Sequence, residues 1–250
     1  MGGPERVVIG EAELWWGDCR DVYAGFPKDA AIVSDVPYGI GFDFTKDRRN
    51  RQSGLRWGIG RDGTVPGRWT ASVHGDDTPF DPLPWLPFAQ VILWGANHYA
   101  SRLPDSAAWL IWDKRDGATS DNHSDCELAW TNLPGPARIH RQLWRGIVRA
   151  GIDNVVHGPK LHPAQKPLEL MCWCVAKTTG IVIDPFAGSF TTAVAALQCG
   201  RKVIACEIDR RYFDIGCRRV EDAYRQLALF PPPAPTPPAT QLALLAKGRP

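Results

Sequence analysis

The segment that decides the fold runs from residue 181 to residue 209 and reads IVIDPFAGSFTTAVAALQCGRKVIACEID. Its two apolar runs, Ile181–Asp184 and Lys202–Glu207, are short and continuous, which is typical of strands buried on both faces of a parallel sheet. Between them, Ser189–Cys199 is rich in alanine and is followed by Gly200, a residue that suits a helix end. Strand, helix and strand in this order predict a βαβ unit with a right-handed crossover.

Three further apolar runs extend this pattern: Ala30–Asp35, Gln90–Trp94 and Trp109–Asp113. Apolar positions at helical spacing over Arg210–Leu229 predict a long surface helix. Together these elements predict an α/β fold with a doubly wound, mostly parallel sheet of the Rossmann-like type. Folds of this kind bind ligands at the carboxyl ends of their strands.

The composition is that of an ordinary globular protein, with 44% hydrophobic and 22% charged residues in 250. Lys and Arg number 29 against 27 Asp and Glu, so the net charge of +2 excludes a polycation. Seven cysteines, an odd number, favour reduced thiols, buried or half-buried, and a reducing compartment. Because we find neither a signal-peptide layout nor an apolar run of about 20 residues, we expect a cytoplasmic protein without membrane contact.

The chain is expected to form one domain over residues 1–229, with insertions at about 43–75 and 130–160. The first insertion is rich in glycine and arginine and has little periodicity, and a loop of that length is usually functional or disordered. Residues 230–250 are rich in proline, which predicts a disordered tail.

The spacing of two acidic residues points to a nucleoside ligand. Asp184 and Glu207 end successive predicted strands, and an acidic residue about 20 positions on is where an α/β nucleotide site binds ribose hydroxyls. Only Gly188 stands in the turn, so the dinucleotide fingerprint is absent. The segment is consistent with a ligand made of an adenosine and a small carboxylate, or with a purely structural turn.

A second polar cluster, Ser34–Gly39 (SDVPYG), follows the strand that ends at Asp35. Pro37 holds Val36 in an extended conformation, so a carboxylate, a backbone carbonyl and an aromatic ring stand side by side. Asp35 and the Val36 carbonyl can each accept an N–H from the amino group of a planar base, and Tyr38 can stack on its ring. The alternative is an ordinary turn at the end of a strand.

In combination, these motifs resemble those of the β-type (permuted) amino DNA methyltransferases, which modify adenine N6 or cytosine N4. The closest likeness is to the small enzymes of phages and prophages. Asp35–Tyr38 resembles the family's D-P-P-Y motif, and Asp184–Thr192 (DPFAGSFTT) resembles D-P-F-x-G-S-G-T-T. His162–Pro167 (HPAQKP) and Trp16–Cys19 (WGDC) match two further family segments.

The resemblance implies S-adenosylmethionine as cofactor and double-stranded DNA as partner. Glu207 would bind the ribose, Asp18 the adenine amino group, and the His162–Pro167 segment would close over the methionine end. The implied cofactor-binding residues are Asp18, Asp35, His162, Gln165, Lys166, Asp184, Phe186, Gly188, Ser189, Thr191 and Glu207. The implied catalytic residues are Asp35, Val36, Pro37 and Tyr38.

In such enzymes the target base is flipped out of the duplex, and the amino group is methylated without a metal. Asp in the first motif position favours adenine N6, and cytosine N4 is the alternative. Two departures from the family pattern are Val36, where proline is usual, and Phe190, where glycine is usual. Val36 keeps its carbonyl, but Phe190 must point away from the cofactor or narrow its pocket. A catalytically impaired DNA-binding homologue is therefore a second alternative.

Contacts with DNA phosphates must come from local basic clusters, because the overall charge is nearly balanced. Residues 134–152 carry arginines at spacings of 3, 4 and 4, which would align them on a helix, whereas the family resemblance favours extended structure. Trp144 could wedge into or stack on DNA. The short recognition region suggests a homodimer on a palindromic site. The expected DNA-binding residues are Arg48, Arg49, Arg51, Arg138, Arg141 and Arg145.

Overall fold

The computed structural model describes residues 3–41, 73–117, 124–145, 148–149 and 161–229. Nine strands of this part form one sheet in the order β1-β2-β11-β10-β3-β4-β6-β5-β7, and β8 and β9 form a separate hairpin. The strands are β1 (Glu5–Ile9), β2 (Ala12–Trp16), β3 (Ala31–Asp35), β4 (Gln90–Trp94), β5 (Trp109–Asp113), β6 (Cys126–Thr131), β7 (Arg138–Arg141), β8 (Trp144–Arg145), β9 (Val148–Arg149), β10 (Val182–Asp184) and β11 (Val203–Glu207).

The α-helices of the described residues are α1 (Cys19–Val22), α2 (Leu168–Val175), α3 (Thr191–Gln198) and α4 (Arg210–Leu229). Short 3-10 turns cover Tyr23–Gly25, Ala96–His98 and Ala100–Arg102. Strands β2, β11, β10, β3 and β4 are parallel to one another, whereas β1 pairs antiparallel with β2 and β6 pairs antiparallel with β4. The α/β class and the mostly parallel sheet are thus confirmed.

Hydrophobic clusters cover both faces of the sheet, because successive strand residues point to opposite sides. Val33 and Val182 belong to the cluster beneath α2, α3 and α4. Their neighbours Ile32 and Ile183 belong to the other cluster, with α1 and residues 80–103. The sheet is therefore covered on both faces, which explains why the apolar runs in the sequence are continuous instead of alternating.

The arginine-rich segment is extended over its described residues 138–141 and 144–145, as the family resemblance implies, and is not the helix that the arginine spacing alone would suggest. β7 pairs in parallel with β5 and satisfies the backbone groups along its edge. Trp144 is 5% exposed and packs within the core cluster, which rules out its predicted role as a wedge.

Phe190 lies in the core, in the hydrophobic cluster beneath α2, α3 and α4. It occupies the N-cap position of α3 in the left-handed region, with φ 62° and ψ 33°, and its side chain is 0% exposed. Its ring meets that of Phe213 edge-on, with the ring centroids 5.9 Å apart. A Cβ atom on Gly216 of α4 would lie 1.8 Å from the Phe190 ring, so glycine is required there.

We predict that Gly216→Ala destabilises the protein even though alanine favours helices. The propensity gain is about 1 kcal/mol, but the clash with a buried ring costs about 1–3 kcal/mol or more. In a Phe190→Gly background the same change should be neutral or stabilising. Thermal unfolding followed by circular dichroism measures both, at about 2–4 °C per kcal/mol. Equal effects of Gly216→Ala in the two backgrounds would contradict the packing described here.

Candidate functional site

The two motif turns lie side by side at one edge of the sheet. β3 and β10 are adjacent parallel strands, so their carboxyl ends, Asp35 and Asp184, lie at the same edge. The hydroxyl of Ser34 donates a hydrogen bond of 2.7 Å to Asp184 Oδ1 and links the two strand ends directly. The next strand, β11, brings Glu207 to the same edge. Both turns thus lie at the edge where a sheet of this kind is expected to bind its ligands.

Asp184 is almost fully buried at the start of the turn over residues 184–188, which we call the glycine turn. Its side-chain Oδ1 also accepts the backbone N–H of Phe186, at 3.2 Å, and the residue is 2% exposed. Burial raises the pKa of this carboxyl to about 6, although the hydrogen bonds from Thr192 and Ser34 favour the ionised form. Its oxygen therefore holds the turn in shape, as an anchor must.

Glu207 binds the same glycine turn from the neighbouring strand. Its Oε2 accepts the N–H of Gly188 at 2.7 Å, and its Oε1 accepts the N–H of Asp209 at 2.8 Å. Burial raises the pKa of Glu207 to about 7, against the lowering effect of these two donors. A carboxyl that titrates near neutrality can accept further hydroxyl donors in its ionised form.

Gly188 itself has φ +54°, a conformation that favours glycine. A Cβ atom at this position would come within 3.3 Å of the His162 ring. The turn is thus bordered by Glu207 on one side and by His162 on the other. The aromatic ring of Phe186 packs edge-on against Phe80 and Trp85, at 5.8 and 5.5 Å between ring centroids.

Ser189 and Thr191 face Arg219, a residue of α4 that sequence reasoning missed. Arg219 Nη1 donates to the Ser189 carbonyl at 2.5 Å, to Ser189 Oγ at 2.9 Å and to Thr191 Oγ1 at 3.0 Å. These contacts hold the turn in place from the side of α4. The sequence feature that could have revealed this role was an arginine on the apolar face of α4, next to Val220. A cofactor contact by Ser189 or Thr191 stays a prediction.

Asp18 lies beside the Glu207 end of the site. The N–H of Gly17 donates to the Glu207 carbonyl at 3.0 Å, which ties the residue before Asp18 to β11. Asp18 caps α1, because its Oδ1 accepts the N–H of Arg20 at 2.9 Å, and the two side chains form an ion pair. Hydrogen bonding to Arg20 holds the pKa of Asp18 below its usual value.

Residues 161–167, which we call the strap, connect the two halves of the site. Gln165 is buried, and its Oε1 accepts the N–H of Leu161 at 2.7 Å. The His162 carbonyl accepts the N–H of Gln165 at 3.1 Å, and the His162 ring meets Tyr212 edge-on at 4.3 Å. The strap is therefore folded on itself and held against α4, and Lys166 lies near its end.

Lys166 reaches the other motif turn and joins its acidic and aromatic residues. Its Nζ lies 2.6 Å from Asp35 Oδ1 and 3.0 Å from the Tyr38 hydroxyl oxygen. The Tyr38 hydroxyl donates to the same Asp35 Oδ1 at 2.8 Å. Both contacts fall on Oδ1 of Asp35, so this oxygen is held by two donors. Burial raises the pKa of Asp35, and the charge of Lys166 opposes that rise.

Glu127 of β6 completes this charge cluster, and sequence reasoning missed it. Its Oε2 lies 3.1 Å from Lys166 Nζ, and its Oε1 accepts from Lys114 Nζ at 3.1 Å. Burial opposes ionisation of Glu127, but the two lysines outweigh it and lower its pKa to about 2. The sequence signal was a single acidic residue within the apolar strand CELAWT.

The Tyr38 ring is held in place by its neighbours. A Cβ on Gly95 would lie 1.9 Å from the ring, so Tyr38 packs directly on the backbone there. His98 stacks on the ring, with centroids 5.0 Å apart and an interplanar angle of 17°. Val36 is buried in the cluster that covers this face of the sheet, and Pro37 is half-buried beside Gly75.

The expected DNA-binding residues are only partly described. Arg48, Arg49 and Arg51 lie outside the described residues, as do the tail and most of the 43–75 insertion. Arg138 is exposed on β7, and Arg141 is exposed with its Nε 3.6 Å from Asp113. The side chain of Arg145 is also outside the described part. The two described arginines therefore lie on one strand at the end of the sheet.

None of the seven cysteines forms a disulfide, and within the described ranges no group of three or more His, Cys, Asp and Glu side chains could hold a metal ion. Cys199 is exposed, so the expectation of uniformly buried or half-buried thiols is wrong for that residue.

Among the helices described, none has the length and apolar character needed to cross a membrane.

A Rossmann-like sheet that places the turn after Asp35 beside the turn after Asp184 is consistent with the class of transferases that use a nucleoside cofactor. The profile of the DNA methylase family (N6/N4 type) matches residues 97–218. The putative methylase YubD of Escherichia coli K12 is 38% identical over 240 residues, covering 84% of this chain and 91% of that protein. The chain therefore belongs to the N6/N4 DNA methylase family, whose cofactor is S-adenosylmethionine.

Two other similarities are more limited. The DNA adenine methyltransferase YhdJ of Escherichia coli K12 is 45% identical over 65 residues, or 25% of this chain. The chain spans only 22% of that protein. The crystal structure of the M1.HpyAVI–SAM complex is 18% identical, covers 84% of this chain and 98% of that one, and has a TM-score of 0.47.

We predict that Lys166→Met destabilises the protein at neutral pH, because it leaves Asp35 and Glu127 without their shared cation. Breaking a buried pair costs about 3–5 kcal/mol, and since both carboxylates are half-buried we expect about 2 kcal/mol. Without Lys166 the pKa values of Asp35 and Glu127 rise, because its charge lowers both in the wild type. The loss should therefore shrink as the pH falls, since protonated carboxyls need no cation.

Urea unfolding of both proteins at pH 7 and pH 5 measures this effect. Lys202→Met is the matched control, because Lys202 pairs with Glu11 on the surface and its side chain is 70% exposed. The control should unfold as the wild type does. A Lys166→Met protein with an unchanged midpoint at pH 7 would contradict the stabilising role of the cluster.

Proposed function

We propose that the chain is a site-specific DNA methyltransferase that transfers a methyl group from S-adenosylmethionine to adenine N6 by base flipping. The observation that carries the proposal is the hydrogen bond between Ser34 and Asp184. It joins the turn over residues 35–38, which would bind the target amino group, to the glycine turn. Methyl transfer requires the donor and the amino group to be held in contact, and such positioning supplies much of an enzyme's rate.

The residues of the glycine turn fit S-adenosylmethionine. Glu207 offers carboxylate oxygens at the end of β11, where the ribose hydroxyls of a nucleoside would lie. Gly188 leaves a cradle beside His162 that a side chain would fill. Asp18 is one residue from the backbone contact with Glu207 and would accept the adenine amino group. When bound, the cofactor supplies an electrophilic methyl group on a sulfonium.

The residues of the other turn would orient the target amino group. Asp35 Oδ2 and the Val36 carbonyl would each accept one N–H, which directs the nitrogen lone pair toward the methyl group. Lys166 and Tyr38 hold Asp35 by its other oxygen. The amino group carries an extra proton after transfer, which passes to Asp35 or to water. These fixed dipoles would stabilise the positive charge on the nitrogen.

Two observations favour an active adenine enzyme. Asp35 stands at the first position of its motif, which favours adenine, and the similar YhdJ is named a DNA adenine methyltransferase. Phe190 was the residue that suggested an impaired homologue. Its ring packs against Phe213 in the core, so its side chain does not fill the cradle at Gly188.

The DNA contacts and the homodimer stay predictions. Arg138 and Arg141 on β7 are available for phosphate contacts, and the remaining expected arginines have no described side chains. The dimer was inferred from the short region around residues 130–160, of which a large part lies outside the described ranges. A bacterial or phage-infected cytoplasm would supply the duplex DNA that this reaction needs.

Modified-base sequencing of genomic DNA from cells that express the protein tests the function. We expect N6-methyladenine within one short sequence context, and none in cells that express Asp35→Asn. Asparagine keeps the shape of Asp35 but not its charge, so the variant should retain cofactor affinity within about threefold by calorimetry. N4-methylcytosine would overturn the base assignment, and an unmodified genome would overturn the function.

We predict that nucleoside binding strengthens as the pH rises from 6 to 8. Hydroxyl donors favour the ionised form of Glu207, whose pKa is about 7 in the free protein. Below that pKa, affinity should fall up to about tenfold per pH unit. Calorimetry with 5′-methylthioadenosine measures this without the ionisable amino-acid end of the full cofactor.

Glu207→Gln is the control for this measurement, because it removes the titrating group, although its single amide oxygen can accept only one of the two backbone N–H groups that Glu207 binds. The variant should bind more weakly at pH 8 and show a flat pH profile. A wild-type affinity that does not change between pH 6 and pH 8 would contradict the role of Glu207.

A further inference from the structure

We propose that Glu127 is a positioning residue for methyl transfer, acting through Lys166 on the Asp35–Tyr38 pair. This inference rests on the proposed function and assigns a task to a strand that carries none of the motif residues. Glu127 lies on β6, which is antiparallel to β4 and next to it in the sheet. It therefore approaches the cluster from the side opposite to the glycine turn.

The geometry divides one ammonium group between two carboxylates. Lys166 Nζ lies 2.6 Å from Asp35 Oδ1 and 3.1 Å from Glu127 Oε2, and the Lys166 side chain is 7% exposed. Because Glu127 draws on the same ammonium, Lys166 does not neutralise Asp35 completely. Asp35 thus keeps acceptor strength for an incoming amino group while remaining fixed in direction.

A second lysine balances the charge of the cluster. Lys114 Nζ lies 3.1 Å from Glu127 Oε1 and offsets the negative charge that Lys166 does not. The two carboxylates and two ammonium groups give a net charge of zero in a partly desolvated site. Glu127 is consequently the link between the half-buried Lys114 and Lys166 beside Asp35, and its pKa of about 2 keeps it ionised.

Removal of the Glu127 charge has a defined consequence for Asp35. The whole attraction of Lys166 would then fall on Asp35, and the repulsion from Glu127 would be gone, so both changes lower the pKa of Asp35. The amino group of the substrate would also have to compete with Lys166 for the Asp35 carboxylate, because the ion pair between these two residues would be tighter. The other titratable groups around Asp35 are Tyr38 on its own turn, Tyr99 after β4 and Asp184 on β10.

The test compares Glu127→Gln with wild type in steady-state methyl transfer. The substrate is an unmethylated duplex that contains the sequence found by modified-base sequencing. We expect kcat to fall about 100-fold, as for a misplaced reacting group, while the calorimetric Kd for S-adenosylhomocysteine stays within twofold. The acid limb of the kcat profile should move to lower pH. Glu13→Gln is the control, because Glu13 pairs with Arg6 on β1, away from the site.

A direct titration separates this inference from the proposed function. In protein labelled with carbon-13 at the aspartate carboxyl, the Asp35 resonance, assigned from Asp35→Asn, should titrate at lower pH in Glu127→Gln than in wild type. An unshifted resonance, or wild-type kcat with an unshifted acid limb, would overturn the role of Glu127. If wild type methylates no DNA but the resonance shifts, the electrostatic link holds and the proposed function fails.

Discussion

The parallel pairing of β3 with β10 is the constraint on which the site depends. It places side by side two strand ends that are 150 residues apart at Ser34 and Asp184, and the hydrogen bond between those residues fixes their register. Each strand carries its motif immediately after its last paired residues. The backbone hydrogen bonds between the two strands therefore suffice to place the two turns next to each other.

The acidic residues at this edge are held at different degrees of ionisation by their surroundings. Burial raises the pKa of Asp184 to about 6 and of Glu207 to about 7, and both residues take backbone N–H donors. Glu127 has two lysines beside it and stays ionised. The carboxyls of Asp184 and Glu207, which would lie beside the cofactor, are thus weakly acidic. The cluster around Glu127, which would lie beside the amino group as it becomes positively charged, is fully ionised.

Sequence reasoning located the central strands because each is buried on both faces and therefore reads as a continuous apolar run. It also placed Asp35, Asp184 and Glu207 at one edge, since parallel strands share a carboxyl end. It missed Glu127 and Arg219, whose side chains reach the site through tertiary packing that has no fixed sequence spacing. After residue 134 the spacing of the arginines also suited a helix, but β7 pairs with β5, in agreement with the extended structure that the family resemblance implies.

The contact between Phe190 and Gly216 restricts how this sequence could have changed over evolution. The ring of Phe190 fills the volume that any side chain at position 216 would need. Enlargement at 216 is blocked while the phenylalanine is present, whereas loss of the ring opens a void that a later side chain could fill. The two positions are therefore epistatic, and the order in which their mutations can be accepted is set by the packing between α3 and α4.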